Sequence, residues 1–240
     1  MKAIFPKEFS DLLNSKGQRL LSHPMACPEG TRLSFSSNIL RKEYALQIIK
    51  DLNTYFSGEL KDNNTPIPED SISRLKRNYT EQLGKTMKMK TIDLNNSRTK
   101  SYKLAQDSGL SQMLQSASYK RMGEMMLGAE FGPPVGNQLI CYGNRGYVSP
   151  HNDHHPEDKH LRKGYYDIQL MLSNSYVRHQ SLVYEENGFL NKAVDISMLS
   201  GIAVYKLPFW HYTTPLEAKR HYEDKAQRWL LLGSFEMVSG

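Results

Sequence analysis

The sequence predicts an α+β chain with a predominantly β core, helical over residues 1–135 and built of strands over residues 136–240. Three observations carry this. Apolar residues recur at helical spacing through the first half, whereas after "FGPPVGN" they fall into short apolar or alternating runs separated by Gly, Asn, Pro and charged residues. No crossover helix of useful length separates those runs, which favours an antiparallel sandwich or barrel over a parallel, doubly wound sheet. The helices are expected to pack on one outer face of the sheet, making residues 1–240 a single domain.

In the first half, "RKEYALQIIKDLNTYF" places Ala45, Ile48, Ile49, Leu52, Tyr55 and Phe56 on one helical face, with Ser36 or Ser37 as N-cap. A second helix is expected from Glu69 through Ile72, Leu75, Tyr79 and Leu83 to Gly84. A third follows Asp107 and Ser108, lines up Leu110, Met113, Leu114 and Ala117, and ends near Gly128; Met122, Met125 and Met126 read as core filler. Between the last two lies a basic segment with Lys85, Lys88, Lys90, Arg98, Lys100 and Lys103 against one acid, Asp93, expected to be a solvated loop. In the second half, "QLICY", "YYDIQLML", "SLVY", "GIAVYKL" and "RWLLLGSFEM" are the expected strands.

Composition narrows the setting. A chain of 240 residues with 39% hydrophobic residues can bury a sizeable core, and its formal charge of +6 attracts anions without choosing among them. Cys27 and Cys141 supply neither a disulfide framework nor a zinc knuckle, so a cytoplasmic setting is expected. No apolar run approaches the length of a membrane span, and the first residues do not read as a secretion signal.

The chemistry concentrates in "CYGNRGYVSPHNDHH". His151 and Asp153 are two apart, so on a strand both leave the same face, while Pro150 and Pro156 disfavour a helix that would pair His151 with His155. One His-x-Asp pair is weak, since chance supplies roughly 0.4 per chain of this composition. His211, after "GIAVYKLPFW", is a candidate third ligand. Two imidazoles and a carboxylate suit a non-haem iron(II) oxygenase, with three positions left open, and equally a zinc hydrolase with one. Spacing does not separate the two.

The segment Tyr142 to Asp153, "YGNRGYVSPHND", resembles the Y-x-x-G-x-x-Y-x-x-P-H-x-D run of the prolyl 4-hydroxylase-like iron(II)/2-oxoglutarate oxygenases, with one residue fewer near the glycine. "YDIQLMLSN" resembles that family's central strand. "RHQSLVYEENG" resembles its hairpin, with Arg178, His179 and Gln180 in place of small residues. "SGIAVYKLPFWHYTTPL" is similar to the segment bearing the second histidine, and "RWLLLGSFE" to the last core strand. The likeness covers residues 138–237 and leaves the first half unmatched. It implies a double-stranded β-helix, or jelly roll, with Fe(II) held by His151, Asp153 and His211. It also implies 2-oxoglutarate and O₂ as cosubstrates, turned over to succinate and CO₂ as a substrate C–H bond is hydroxylated. Arg228 is expected to bind the distal carboxylate of 2-oxoglutarate, with Tyr142 adding a hydrogen bond. The family's basic residue usually stands about ten positions past the second histidine, whereas Arg228 stands seventeen past; "EAKRHYEDKAQ" is read as an inserted loop, and Arg220 is the rival.

Tyr147, Arg162 and His179 are candidate substrate contacts, with Lys163 beside Arg162. His154, His155 and His160 read as loop residues facing solvent, and Phe209, Trp210 and Trp229 as packing. The expected substrate is a small molecule or amino acid derivative. A peptide hydroxylase and a jelly-roll metal- or ligand-binding protein without catalysis are the alternatives, and a role on nucleic acid is disfavoured because no recognition module appears.

Overall fold

The computed structural model describes residues 3–63, 87–155 and 157–238. Its first half comprises helix α1 (Ser15–Ser22), strand β1 (Leu33–Ser37), helix α2 (Lys42–Tyr55), strands β2 (Lys61–Asn63) and β3 (Met87–Asp93), and helices α3 (Lys100–Asp107), α4 (Leu110–Leu114) and α5 (Ala117–Leu127). Helix α2 buries the expected Ala45, Ile48, Ile49 and Leu52, but it starts after Arg41 without a side-chain cap; Ser36 and Ser37 belong to β1. The helix expected after Asp107 is broken in two, because Ser116 turns to extended backbone and caps α5 through the Tyr119 amide. Helix α5 ends at Gly128, whose φ of 64° is the left-handed conformation glycine adopts without cost. The helix expected over residues 69–84 lies outside the described residues.

The basic segment is not a loop throughout. Lys88 and Lys90 lie on β3, and Lys100 and Lys103 on α3, where Thr99 supplies the cap. In β3 the two lysines alternate with Met87 and Met89, which turn into the cavity described below.

From residue 131 the chain forms β4 (Phe131–Gly143), β5 (Tyr147–His151), β6 (Tyr165–Ser173), β7 (Val177–His179), β8 (Ser181–Glu186), β9 (Phe189–Asp195), β10 (Ser200–Leu207), β11 (His211–Thr213), β12 (Glu217–Ala218) and β13 (Gln227–Met237). Every expected strand is present. The "FGPPVGN" stretch, expected as a boundary, is the first part of β4, and the register against β13 shifts there to accommodate it.

The strands run β1-β10-β6-β13-β4-β3 and continue β5-β11-β8-β9, all antiparallel; β7 and β12 form a small ladder of their own. Strand β3 pairs with both β4 and β5, so the sheet curls over into two facing layers, a jelly roll. One core lies between the layers, with Ile140, Met171, Leu182, Tyr205 and Leu230. The other lies between the helices and the outer face of the larger layer, with Ile48, Leu52, Met113, Tyr119, Trp229 and Leu231. Helix α5 lies close against that outer face at Gly123, where a Cβ would come within 2.7 Å of Phe131 and Ile168 side-chain atoms. Next to it the Tyr119 hydroxyl reaches the main-chain carbonyls of Ile168 on β6 and Leu231 on β13, at 2.9 and 3.1 Å. No helix among the described residues is long and apolar enough to cross a membrane.

Candidate metal and cosubstrate site

Between the two layers lies a cavity of about 510 Å³. Strand β5 ends at His151, which pairs directly with His211 at the start of β11, so the two rings meet with centroids 4.3 Å apart. Asp153 is not on the strand, contrary to the expectation that strand alternation would align it with His151. It follows in a turn with φ of 51°, a left-handed conformation that aspartate tolerates better than most residues. That turn brings Asp153 Oδ1 to 3.3 Å from His151 Nε2 and Oδ2 to 3.4 Å from His211 Nε2. The three ligand atoms all lie within 4.8 Å of one another.

Each imidazole is oriented by its own strand. His151 Nδ1 lies 2.8 Å from the Ser149 carbonyl, and His211 Nδ1 lies 2.9 Å from the Phe209 carbonyl. A carbonyl only accepts, so both Nδ1 atoms carry a proton and Nε2 is the nitrogen of each ring that faces the carboxylate. Two imidazole Nε2 atoms and a carboxylate converging on one point, once Nε2 is deprotonated, are the donor set a divalent transition metal takes. Burial works to lower both imidazoles. In His211 it prevails, helped by the charge of His151. In His151 the charge and hydrogen bond of Asp153 outweigh burial, so the shift is upward. Burial would raise Asp153, yet the two histidines hold it well below the usual carboxylate range.

Arg228, at the start of β13, is 1% exposed and lines the same cavity. Its Nε donates to Gln180 Oε1 at 2.7 Å, and its guanidinium carbon stands 4.4 Å from the Tyr142 ring centre. Gln180 is itself fixed by donating to the Gly146 and Thr214 carbonyls. Arg228 Nη1 is buried and, among the described residues, has no hydrogen-bond partner. Burial lowers the guanidinium pKa from its usual value, but arginine keeps its proton in such settings, so this corner suits an anion. Burial raises the Tyr142 phenol above its usual range, keeping it a hydrogen-bond donor at neutral pH.

The rival Arg220 is exposed on the turn before β13. Tyr147 is half-buried on β5 and is not part of the cavity lining. Arg162 is exposed and borders a separate depression with His160 and Glu236. His179 stands on β7 beside Ser181 and Asp195, also outside the cavity. His160 turns to Glu236 at the surface as a loop residue would, whereas His155 lines the cavity. Sequence reasoning missed Gln180, which was seen only as a departure from a small residue. It also missed Asp167 and Gln169, although their alternation with Ile168 and Leu170 placed them on the opposite face of β6.

No protein-family profile matches the chain, and no curated protein matches it. Solved structures do. An oxidoreductase of the 2OG-Fe(II) oxygenase family from Burkholderia pseudomallei aligns with a TM-score of 0.53 at 12% identity, covering 91% of this chain and 96% of that one. A prolyl hydroxylase from Trichoplax adhaerens, solved with a hypoxia inducible factor peptide fragment, aligns with a TM-score of 0.50 at 15% identity, covering 92% of this chain and 91% of that one. The fold is that of the 2-oxoglutarate/Fe(II) oxygenases. Both alignments span about nine-tenths of this chain, so the 2-oxoglutarate/Fe(II) oxygenase fold takes in the helical half as well, where the sequence carried no likeness.

Proposed function

We propose that the protein is a non-haem Fe(II)/2-oxoglutarate-dependent oxygenase that hydroxylates a C–H bond of a small molecule or amino acid derivative. The observation that carries this reading is the joint presence, in one cavity, of a buried His-Asp-His set and a buried guanidinium with an unfilled nitrogen. His151, Asp153 and His211 would hold the metal. Arg228 would take the distal carboxylate of 2-oxoglutarate through charge-assisted hydrogen bonds, with the Tyr142 hydroxyl beside it. When bound, iron and 2-oxoglutarate supply the oxidising power of the reaction, with O₂ consumed and succinate and CO₂ released.

The chain's own residues do the rest. The Ser149 and Phe209 carbonyls hold the two imidazoles in the ligating tautomer. Gln180 keeps Arg228 from swinging out of the cavity, leaving Nη1 for the cosubstrate. Leu182, Met171 and Leu230 line the middle of the cavity with apolar surface, which strengthens each polar contact made there.

The deciding experiment is an anaerobic titration of metal-free protein with Fe(II) and then 2-oxoglutarate, following the visible charge-transfer band of a chelated iron and keto acid. The band is expected in the parent protein and not in His211→Ala. Fe(II) binding without any band would instead make this a metal-binding jelly roll without the oxygenase chemistry.

A further inference from the structure

Beyond the metal ligands the same cavity is lined by further polar residues. On β13 the inward positions run Arg228, Leu230, Leu232, Ser234, and they pair across β6 with Ser173, Met171, Gln169 and Asp167. Ser234 and Asp167 are therefore six residues from the Arg228 rung, roughly 20 Å along an extended strand. Tyr205 links this end to the metal ligands, since it pairs with Asp167 on one side and its ring centre lies 5.1 Å from that of His211.

Asp167 is 4% exposed and lines the cavity. Ser234 Oγ donates to its Oδ1 at 2.6 Å, but among the described residues no cation pairs with it. A carboxylate accepts several hydrogen bonds, so one serine leaves most of its capacity open. Gln169, on the next inward position, is 8% exposed, lines the cavity, and its amide makes no hydrogen bond among the described residues. Its amide is therefore free to bond whatever enters the cavity, where Val or Leu at the same position would offer only apolar surface. Gln138, opposite Leu232 on β4, also turns its amide into the cavity. Two further carboxylates, Asp93 and Asp158, stand in the lining.

Charge bookkeeping along the lining is one-sided. With His151, Asp153 and His211 given to a metal and Arg228 to an anion, the charged lining residues left among the described residues are Asp93, Asp158 and Asp167, all acidic, in a chain whose net charge is +6. Burial pushes Asp167 up to about 7, with the charge of Asp153 adding to it and the Ser234 hydrogen bond opposing it, and a cation beside it would favour the ionised form.

We infer that Asp167, Gln169 and Gln138 form the substrate subsite and that they take a protonated amine or guanidinium group, so the substrate is a cationic small molecule. Asp167 supplies the counter-charge, the two amide oxygens accept the remaining N–H bonds, and Asp93 and Asp158 draw the cation into the cavity. This rests on the oxygenase reading only in placing the cation's carbon chain next to the metal.

The test is a calorimetric titration of the Mn(II)- and 2-oxoglutarate-loaded protein, which cannot turn over, with lysine, arginine, agmatine and spermidine. Norleucine and citrulline keep the α-amino acid head common to lysine and arginine and lack only the side-chain cation, so they are the neutral-side-chain counterparts. At least one cation is expected to bind at least ~10-fold more tightly than its neutral counterpart. Asp167→Asn should lower that affinity by at least ~10-fold and Gln169→Leu by less, with the Fe(II)/2-oxoglutarate band kept in both. The lysine–norleucine and arginine–citrulline comparisons need no variant and so do not depend on how the variants fold. Absence of binding by all four cations, equal binding of the neutral pair, or unchanged affinity in Asp167→Asn would overturn the inference while leaving the oxygenase reading intact. If cations bind but the Fe(II)/2-oxoglutarate band never forms, the subsite stands and the oxygenase reading fails.

Discussion

The two ends of the cavity are built on the same two strands and carry opposite charges. At one end Arg228 is gripped by Gln180, which is itself tied to two backbone carbonyls, so the guanidinium is aimed before any ligand arrives. At the other end Asp167 has a single serine, and Gln169 beside it has no partner among the described residues. The first end leaves one guanidinium nitrogen, Nη1, open to a ligand; the second leaves most of a carboxylate's hydrogen-bonding capacity and a side-chain amide open. A cosubstrate shared by a whole class of reactions suits a preformed clamp, and a substrate suits a set of open valences, because leaving buried groups unpaired when the wrong molecule enters is what gives strong discrimination.

The largest effect should come from removing what lies between the ends. Asp153→Ala deprives both imidazoles of the carboxylate they face, and metal affinity, read by titration with Fe(II) or Mn(II), should fall by at least ~100-fold. Next, Arg228→Ala should keep metal binding and weaken 2-oxoglutarate by about 2–5 kcal/mol, while Arg220→Ala leaves it unchanged. Reversal of those two results would move the clamp to the turn before β13.

Asp167 gives the next effect, and its sign is opposite to that of a paired carboxylate. The unfolded chain ionises it near its ordinary value, whereas the folded protein holds the proton up to about 7. Between those values the folded state binds the extra proton, so stability falls as pH rises and the loss is complete above the folded value. Asp167→Asn should therefore raise the melting temperature of metal-free protein at about pH 8 and leave it unchanged at about pH 4, with a gain of at most a few kcal/mol. The smallest effect belongs to Gln180→Leu, which frees the Arg228 Nε and should cost about 1–2 kcal/mol of 2-oxoglutarate binding without touching the metal.

What the sequence made legible follows the same division. His151, Asp153, His211 and Arg228 were legible as candidates because each stands at or just past a strand end, in a run whose order of residue types is distinctive, and the fold brings all four to one cavity. The route to Asp153 was misjudged, since a left-handed turn beyond the strand places its carboxylate, and backbone sign is not written in residue order. The strands of the larger layer were legible as short alternating or apolar runs between Gly, Asn, Pro and charged loops. Strand β3 was not, because its lysines masked an inward face of Met87 and Met89 that only pairing with β4 and β5 defines. Tyr147, Arg162 and His179 were chosen by nearness in sequence to the histidine run or hairpin, and all three stand outside the cavity lining. Asp167 and Gln169 lay two rungs along a strand read as core, where polar letters between apolar ones were the available sign.

The fit of α5 against the back of the larger layer has a mechanical consequence. Gly123 and the Tyr119 hydroxyl fix the spacing of β6 and β13 from outside, and those strands hold Asp167, Gln169 and Arg228 on their inner faces. A side chain added at Gly123 would meet Phe131 of β4 at 2.5 Å and Ile168 of β6 at 2.7 Å, so those side chains or the helix must shift, without altering one atom that lines the cavity. The helical half thus acts as a tuning screw: drift in its packing can change which molecules fit while the chemistry at the metal stays as it was.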